Sequence, residues 1–372
     1  MPTRRFIYQN VLVLVALLLL VLSGCGAPTA TDAAATDATG EAVAAGDAHE
    51  ADHAHDELSD AAGQTAELPA LRAVPLAAGE KLRVVATTSI IADVVAQVGG
   101  DLITLATLLP LGADPHAYTP TPQDLRTLNE AQVIFINGLG LEEALLPVLE
   151  NLDNGAPVLS VNAGVEPLSL ADEHAHEEET GEADAHGHTG ADPHTWLDVA
   201  NVQRWTETIR QALSALDPAH AGAYAAAAEA YQATLEALDQ ELRAMAESLP
   251  PEQRKLVTDH NEFAYFARAY GFTVIGTVIP SLSTLAEPSA QELAALQDQM
   301  RAEGVSAIFV GTGVSPSLAR QLAQDAGVEL VTLYAASLSA PDGPAPSYVE
   351  LMRHVMQTIL DALAGGSTYA GN

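Results

Sequence analysis

The residues of this chain best suited to chemistry are its histidines. Twelve are present, and they occur in two kinds of context. His174, His176, His186 and His188 stand among Asp and Glu in the run from Ala171 to Asp198, ADEHAHEEETGEADAHGHTGADPHTWLD, and His194 lies in its last part, which reads as ordered chain. Neutral imidazoles with carboxylates around them are ligands for a borderline divalent cation, most often zinc. No Lys or Arg occurs between Arg126 and Arg204, so nothing nearby in the sequence repels a cation. The tripeptide Asp-Pro-His occurs twice, at 114–116 and at 192–194. Proline fixes its own φ and biases the residue before it toward extended geometry. Each histidine is therefore presented by a constrained backbone, with an aspartate available as an outer partner for the ring. A third histidine, His260, directly follows the apolar run Lys255–Asp259.

The elements that must position these rings read as two α/β units. Leu82–Thr88, Ile103–Leu109, Gln132–Asn137 and Pro157–Val161 are short apolar runs expected as strands. Helical patterns alternate with them: one opening at Ser89 as N-cap, then Pro122–Glu130 and Leu141–Leu152. After the acidic insert come helical periodicity over Val199–Leu216 and a long Ala-, Glu- and Leu-rich stretch from Asp217-Pro218 to Leu249. A helix of about 30 residues is roughly 45 Å long, which suits a rigid spine between lobes. The alternation then resumes. Lys255–Asp259, Thr273–Ile279, Val305–Val310 and Glu329–Leu333 are expected as strands, and Asn261–Tyr270, Gln291–Glu303, Ser315–Asp325 and Tyr348–Leu363 as helices. The fold class is α/β: two lobes, each a parallel sheet flanked by helices, joined by one long helix. In such sheets ligands bind beyond the carboxyl ends of the strands. His116, His194 and His260 all fall on loops of that kind, so a metal site in the cleft between the lobes is expected. His220 and His354 read as helix-surface residues.

Length and composition bound the remaining readings. The chain has 372 residues and a net charge of −34, which repels nucleic acid. Arg4 and Arg5 precede the apolar run Val11–Leu22, too short to span a bilayer as a helix but suited to a signal peptide. The run ends in Leu22-Ser23-Gly24-Cys25, which resembles a bacterial lipobox with Cys25 as the lipidated residue. Cys25 is the only cysteine, so internal disulfides and zinc sites with two or more thiolates are excluded. The expected organisation is a signal peptide at 1–24, a lipid anchor and disordered tether at 25–80, and a first lobe at 81–216 with an acidic His-rich loop at 171–191. A linking helix at 217–250 and a second lobe at 251–372 complete it. His49, His53 and His55 lie among acids in the tether, where weak metal binding is expected.

These features together resemble the zinc/manganese-type solute-binding proteins of bacterial ABC metal importers. The resemblance spans roughly Lys81–Leu363 and rests on GADPHAYTPTPQDL, ADPHTWLDV, the Asp217-Pro218 long helix, VTDHNEFAYFARAYGF, the AEPS at Ala286–Ser289, and SYVELMRHVMQTI. It implies a membrane-anchored monomer outside the cytoplasm that captures Zn2+, or less readily Mn2+, and delivers it to a membrane permease. His116, His194 and His260 match the family's metal histidines, and the acidic loop is similar to that of the zinc-specific branch. Many members carry an aspartate ligand in an aromatic-x-Asp-Ser-hydrophobic loop. Here that loop reads Tyr334-Ala335-Ala336-Ser337-Leu338, and alanine does not ligate. Water, Glu262, Asp342 and a loop histidine are the alternatives for the fourth position. Loss of an oxygen donor favours zinc over manganese.

Two other functions compete. Three histidines and an open position also describe a hydrolytic zinc site, with Glu262 as general base. Against it, no His-Glu-x-x-His helix occurs, and residues two apart on a helix do not share a face. The other is a surface adhesin with structural zinc, which would unfold without its metal.

Overall fold

The computed structural model describes residues 67–169 and 190–365. The signal sequence, Cys25, the tether histidines and the four histidines of the acidic insert lie outside the described residues.

Each lobe is built on four parallel strands. The first sheet comprises β1 (Leu82–Ala86), β2 (Ile103–Thr107), β3 (Val133–Ile136) and β4 (Val158–Ser160) in the order β2-β1-β3-β4. The second comprises β5 (Lys255–Thr258), β6 (Thr273–Thr277), β7 (Ala307–Gly311) and β8 (Glu329–Leu333) in the order β6-β5-β7-β8. The two orders are the same, with the first strand of each lobe at the position where the winding reverses. Central strands such as β3 and β7 are buried throughout, as the unbroken apolar runs require of a sheet covered on both faces.

The helices are α1 (Ser89–Gly99), α2 (Pro122–Glu130), α3 (Leu146–Leu149), α4 (Val199–Leu216), α5 (Ala221–Ala246), α6 (Ala264–Tyr270), α7 (Ala290–Glu303), α8 (Ser317–Ala326) and α9 (Tyr348–Gly365). Several differ from the sequence expectation. Thr88, not Ser89, caps α1: its side chain accepts from the Ile91 N–H, while Ser89 is buried. The helix expected over Leu141–Leu152 shrinks to α3, because Gly138, Leu139 and Gly140 all have positive φ and turn the chain instead. The long helix is 26 residues, preceded by one 3-10 turn at Pro218–His220. Asp217 gives it no side-chain cap; its carboxylate accepts from the Tyr224 hydroxyl and meets the His220 ring instead. The tether expected to reach residue 80 ends earlier. Leu68, Leu71, Val74 and Leu76 pack on the core, and the Val74 N–H donates to the Leu216 carbonyl.

The long helix shows why the two lobes form one body. Its buried residues are Tyr224, Ala228, Tyr231, Leu235, Leu238, Leu242 and Ala246, one stripe at spacings of three and four. That stripe belongs to a hydrophobic cluster that also takes in α1, α4 and α9, along with Phe263, Tyr265 and Phe266 of the second lobe. Each lobe keeps a smaller cluster on the outer side of its sheet, around Ile134 and Leu128 in the first and around Ile308 and Met300 in the second. No helix among the described residues is long and apolar enough to cross a membrane.

Candidate metal centre

The structure brings His116, His194 and His260 together. His116 lies on the loop after β2, His194 follows the long connection from β4, and His260 comes two residues after the end of β5. All three are buried, at 1–3 % exposure. The His194 Nε2 is 3.3 Å from the His116 Nε2 and 3.2 Å from the His260 Nε2. A tetrahedral ion held at about 2.0–2.1 Å sets its donor nitrogens roughly 3.3–3.4 Å apart, so the spacing already matches the edges of a coordination tetrahedron.

Two of the rings are oriented by carboxylates behind them. The Asp192 Oδ1 accepts from the His194 backbone N–H at 2.9 Å and faces its Nδ1 at 2.8 Å. The Asp259 Oδ1 accepts from the His260 N–H at 2.7 Å and faces its Nδ1 at 2.7 Å. A carboxylate accepts, so it places the proton on Nδ1 and leaves the Nε2 lone pair free for a cation. The first Asp-Pro-His works differently. The Asp114 Oδ1 takes the His116 N–H at 3.0 Å, and its Oδ2 takes the Thr284 hydroxyl from the opposite lobe. The outer partner expected from the tripeptide is therefore present at 192 and replaced by a cross-lobe contact at 114. Asp259, directly before its histidine, was the partner that sequence reading missed. The adjacency Asp259-His260 at the end of an apolar run was the available signal.

Burial sets the protonation of the site. It holds the His194 imidazole well below its ordinary range, with the charge on His260 adding to the effect against the opposing Asp259 carboxylate. Burial pushes the Asp192 carboxyl up to about 7, although the His194 N–H, His260 and Arg268 pull it down. Asp259 is equally sheltered, but hydrogen bonds from His260 and from the Gly311 N–H outweigh its burial and hold it below the usual range. Burial and the neighbouring Asp259 charge raise Glu262 well above its usual value.

The cavity at the three rings is also lined by Asp114, Glu262, Thr284, Gly311, Ala336 and Ser337. Glu262 lines it, and the chain does not enter α6 until Ala264; residues 261–263 are irregular, not the expected start of a helix. Ala336 supplies a methyl group to the wall. Asp342 is exposed and is not among the lining residues. His220 pairs with Asp217 at the start of the long helix, and His354 stacks on Tyr334 at 5.8 Å; neither reaches the cavity.

Contacts from both lobes clamp the His194 loop. The Tyr265 hydroxyl donates to the Asp192 carbonyl and accepts from the Leu168 N–H, each at 2.9 Å. The Trp196 indole N–H donates to the Ala335 carbonyl at 2.8 Å, and the Tyr348 hydroxyl donates to the Trp196 carbonyl at 2.7 Å. From the first lobe, the Asn137 amide donates to the Pro193 carbonyl at 2.9 Å. The turn beside Asn137 carries Leu139 at φ 56°, a left-handed geometry costly for leucine. The Glu142 carboxylate holds that turn by accepting from the Asn137 and Gly138 N–H groups and the Thr87 hydroxyl. Across the cleft, Gly313 passes so close to the first His loop that a Cβ there would sit 3.2 Å from the Gly112 carbonyl oxygen.

Comparison with known proteins agrees with this geometry. Residues 84–362 match the family ZnuA, zinc-uptake complex component A, periplasmic. The manganese-binding lipoprotein MntA of Halalkalibacterium halodurans is 32% identical over 287 residues, covering 77% of this chain and 90% of that protein. The periplasmic zinc binding protein TroA from Treponema pallidum superposes with a TM-score of 0.67 at 30% identity, covering 76% of this chain and 99% of that one. The Mn-bound periplasmic metal binding protein from Candidatus Liberibacter asiaticus gives 0.65 at 31% identity, covering 76% of this chain and 100% of that one. The chain belongs to the ZnuA family, the periplasmic metal-binding components of ABC importers, and not to a family of enzymes.

Proposed function

We propose that this metal-binding component captures Zn2+ outside the cytoplasm and passes it to the permease of an ABC importer. His116, His194 and His260 are the ligands in this reading, and lipidated Cys25 is the anchor. The observation that carries it is the convergence of three buried ring nitrogens from loops of both lobes, with the His194 Nε2 3.2–3.3 Å from the other two. An all-nitrogen set with a methyl group at Ala336 supports zinc over manganese, which is better served by oxygen. The likeness to a relative named for manganese supports the second reading, in which Mn2+ is the cargo. The family names relatives that are lipoproteins, which supports the anchor at Cys25.

A carrier must remain folded when empty. The hydrophobic clusters of both lobes include none of the three histidines, which supports a fold held by apolar packing rather than by the ion. Calorimetric titration of the metal-stripped protein with Zn2+ and Mn2+ tests the assignment. One tight zinc site that disappears with His194→Ala supports it. A tighter manganese site assigns the cargo to manganese, and tight binding that ignores His194 overturns the cleft site altogether.

A further inference from the structure

The segment between β6 and α7 reaches across to the first lobe as a strap. We infer that it gates the cavity: two hydroxyls at its tip latch it to the first lobe and set how fast the ion enters and leaves. This inference rests on the metal-binding reading of the three rings.

Residues 278–289 follow β6 without forming a helix or strand, and they include Pro280 and Pro288. At the near end the chain is tied to its own lobe. The Val278 and Ile279 N–H groups donate to the Thr258 and Asp259 carbonyls, and the Ser281 carbonyl accepts from the Asn261 N–H, all at 2.7–2.9 Å. At the far end Ser289 caps α7. Between Leu282 and Pro288 the backbone hydrogen bonds among the described residues reduce to one, from the Ala286 N–H to the Ser283 carbonyl at 3.5 Å. A stretch so poor in backbone bonding depends on its side chains to stay in place. The Ser283 hydroxyl donates to the Glu143 carboxylate at 2.8 Å and accepts from the Leu285 N–H at 3.2 Å. The Thr284 hydroxyl donates to the Asp114 Oδ2. Both acceptors belong to the first lobe, and among the described residues no backbone hydrogen bond joins the strap to that lobe.

Position makes these two bonds a latch. Thr284 is part of the cavity wall, and the other oxygen of its partner Asp114 holds the His116 N–H. The strap is thus rooted at Asn261, beside His260, and fastened at Asp114, near His116. Releasing two hydroxyls frees its tip while the lobes stay joined by the shared core and by the Gly112 N–H on the Ser337 hydroxyl. Opening the strap is therefore a smaller motion than parting the lobes. The latch bonds run between protein groups and involve none of the three ring nitrogens. They hold the strap shut to a similar degree with or without the ion. Weakening them speeds entry and exit together and leaves the affinity nearly constant.

The experiment measures zinc association and dissociation rates by stopped flow, with a chelating dye as reporter. It uses the metal-stripped full chain, Thr284→Val, Ser283→Ala, the double variant and Thr284→Ser. Valine keeps the shape of threonine, and the melting temperature of each empty variant checks its fold. Loss of a hydrogen bond to a charged group shifts an opening equilibrium by roughly tenfold. Thr284→Val and Ser283→Ala should each raise both rate constants by about tenfold, and the double variant by more, with Kd within about threefold of the parent. Thr284→Ser keeps the hydroxyl and should keep the parental rates. Parental rates in the double variant overturn the latch. A Kd weakened more than about tenfold at an unchanged association rate also overturns it, because the hydroxyls then position His116 and do not gate the cavity. His194→Ala, run alongside, separates the two readings: undiminished zinc binding there overturns the carrier reading itself.

Discussion

His194 and His260 are each backed by an aspartate, yet the two pairs are secured in different ways. In each, one aspartate oxygen serves both the backbone N–H and the Nδ1 of the histidine. Asp259 is held from the other side as well, since its Oδ2 accepts from the Gly311 N–H at the end of β7. The Asp192 Oδ2 is buried and finds no hydrogen-bond partner among the described residues. The second-lobe pair is thus fastened to its own sheet. The first-lobe pair is fastened through its backbone, by Tyr265 from across the cleft and Asn137 from its own side. The difference shows in the carboxyl groups: one is pulled below its ordinary range, and the other is pushed up to about 7.

This contrast can be tested through zinc affinity. The largest effect is expected where the two arrangements are equivalent, at the rings themselves. Structural zinc sites with four ligands bind with about 10–16 kcal/mol, so one ligand is worth roughly 3 kcal/mol. His194→Ala and His260→Ala should each cost about 100-fold or more, and a difference between them of more than tenfold would break the symmetry.

Next comes Asp259→Asn. Its amide must turn an NH2 group toward either His260 or Gly311, setting donor against donor, and a loss of about 10–100-fold is expected. Asp192→Asn should cost less than Asp259→Asn. Asparagine keeps an oxygen on His194 and places its NH2 where no donor stands opposite. Equal losses in the two variants would show that the Gly311 contact is irrelevant to the metal.

Tyr265→Phe should have a smaller effect, about 1 kcal/mol or fivefold in affinity, by freeing the Asp192 carbonyl and the Leu168 N–H. Deleting residues 173–188 is expected to leave the affinity of the cleft unchanged; a loss would bring the acidic insert into the site. Zinc in excess should raise the melting temperature of the parent chain, by about 4 kcal/mol of stabilisation at a thousandfold excess over Kd. A metal-free protein that is already unfolded at room temperature would instead match structural zinc.

Much of this was legible in the sequence because it is local. Apolar runs of four or five residues marked the buried strands, and prolines beside His116 and His194 marked stiff loops at strand ends. What stayed hidden depends on side chains that meet from distant positions. Nothing near Glu262 in the chain shows that residues 261–263 stay out of α6 and leave it lining the cavity, because a helical pattern runs through them. The two Asp-Pro-His tripeptides are identical as text, yet Asp114 meets Thr284 and Asp192 meets the ring of its own histidine. The two loops also have different surroundings: Trp196 donates to the Ala335 carbonyl beside one, and Gly313 approaches the other closely. The long helix was expected as a rigid spine joining the lobes, and its packing role was not read. Its apolar stripe also makes it part of the shared core.

That shared core has a consequence for how the chain is made and exported. The last helix, α9, contributes Tyr348, Leu351, Met352, Val355, Met356 and Ile359 to the same cluster as α1, the first helix. During synthesis from the N-terminus, α1 can meet α4 and α5 early, but the cluster closes only when α9 has emerged. A core completed so late leaves the chain without its final packing until its C-terminal end is made.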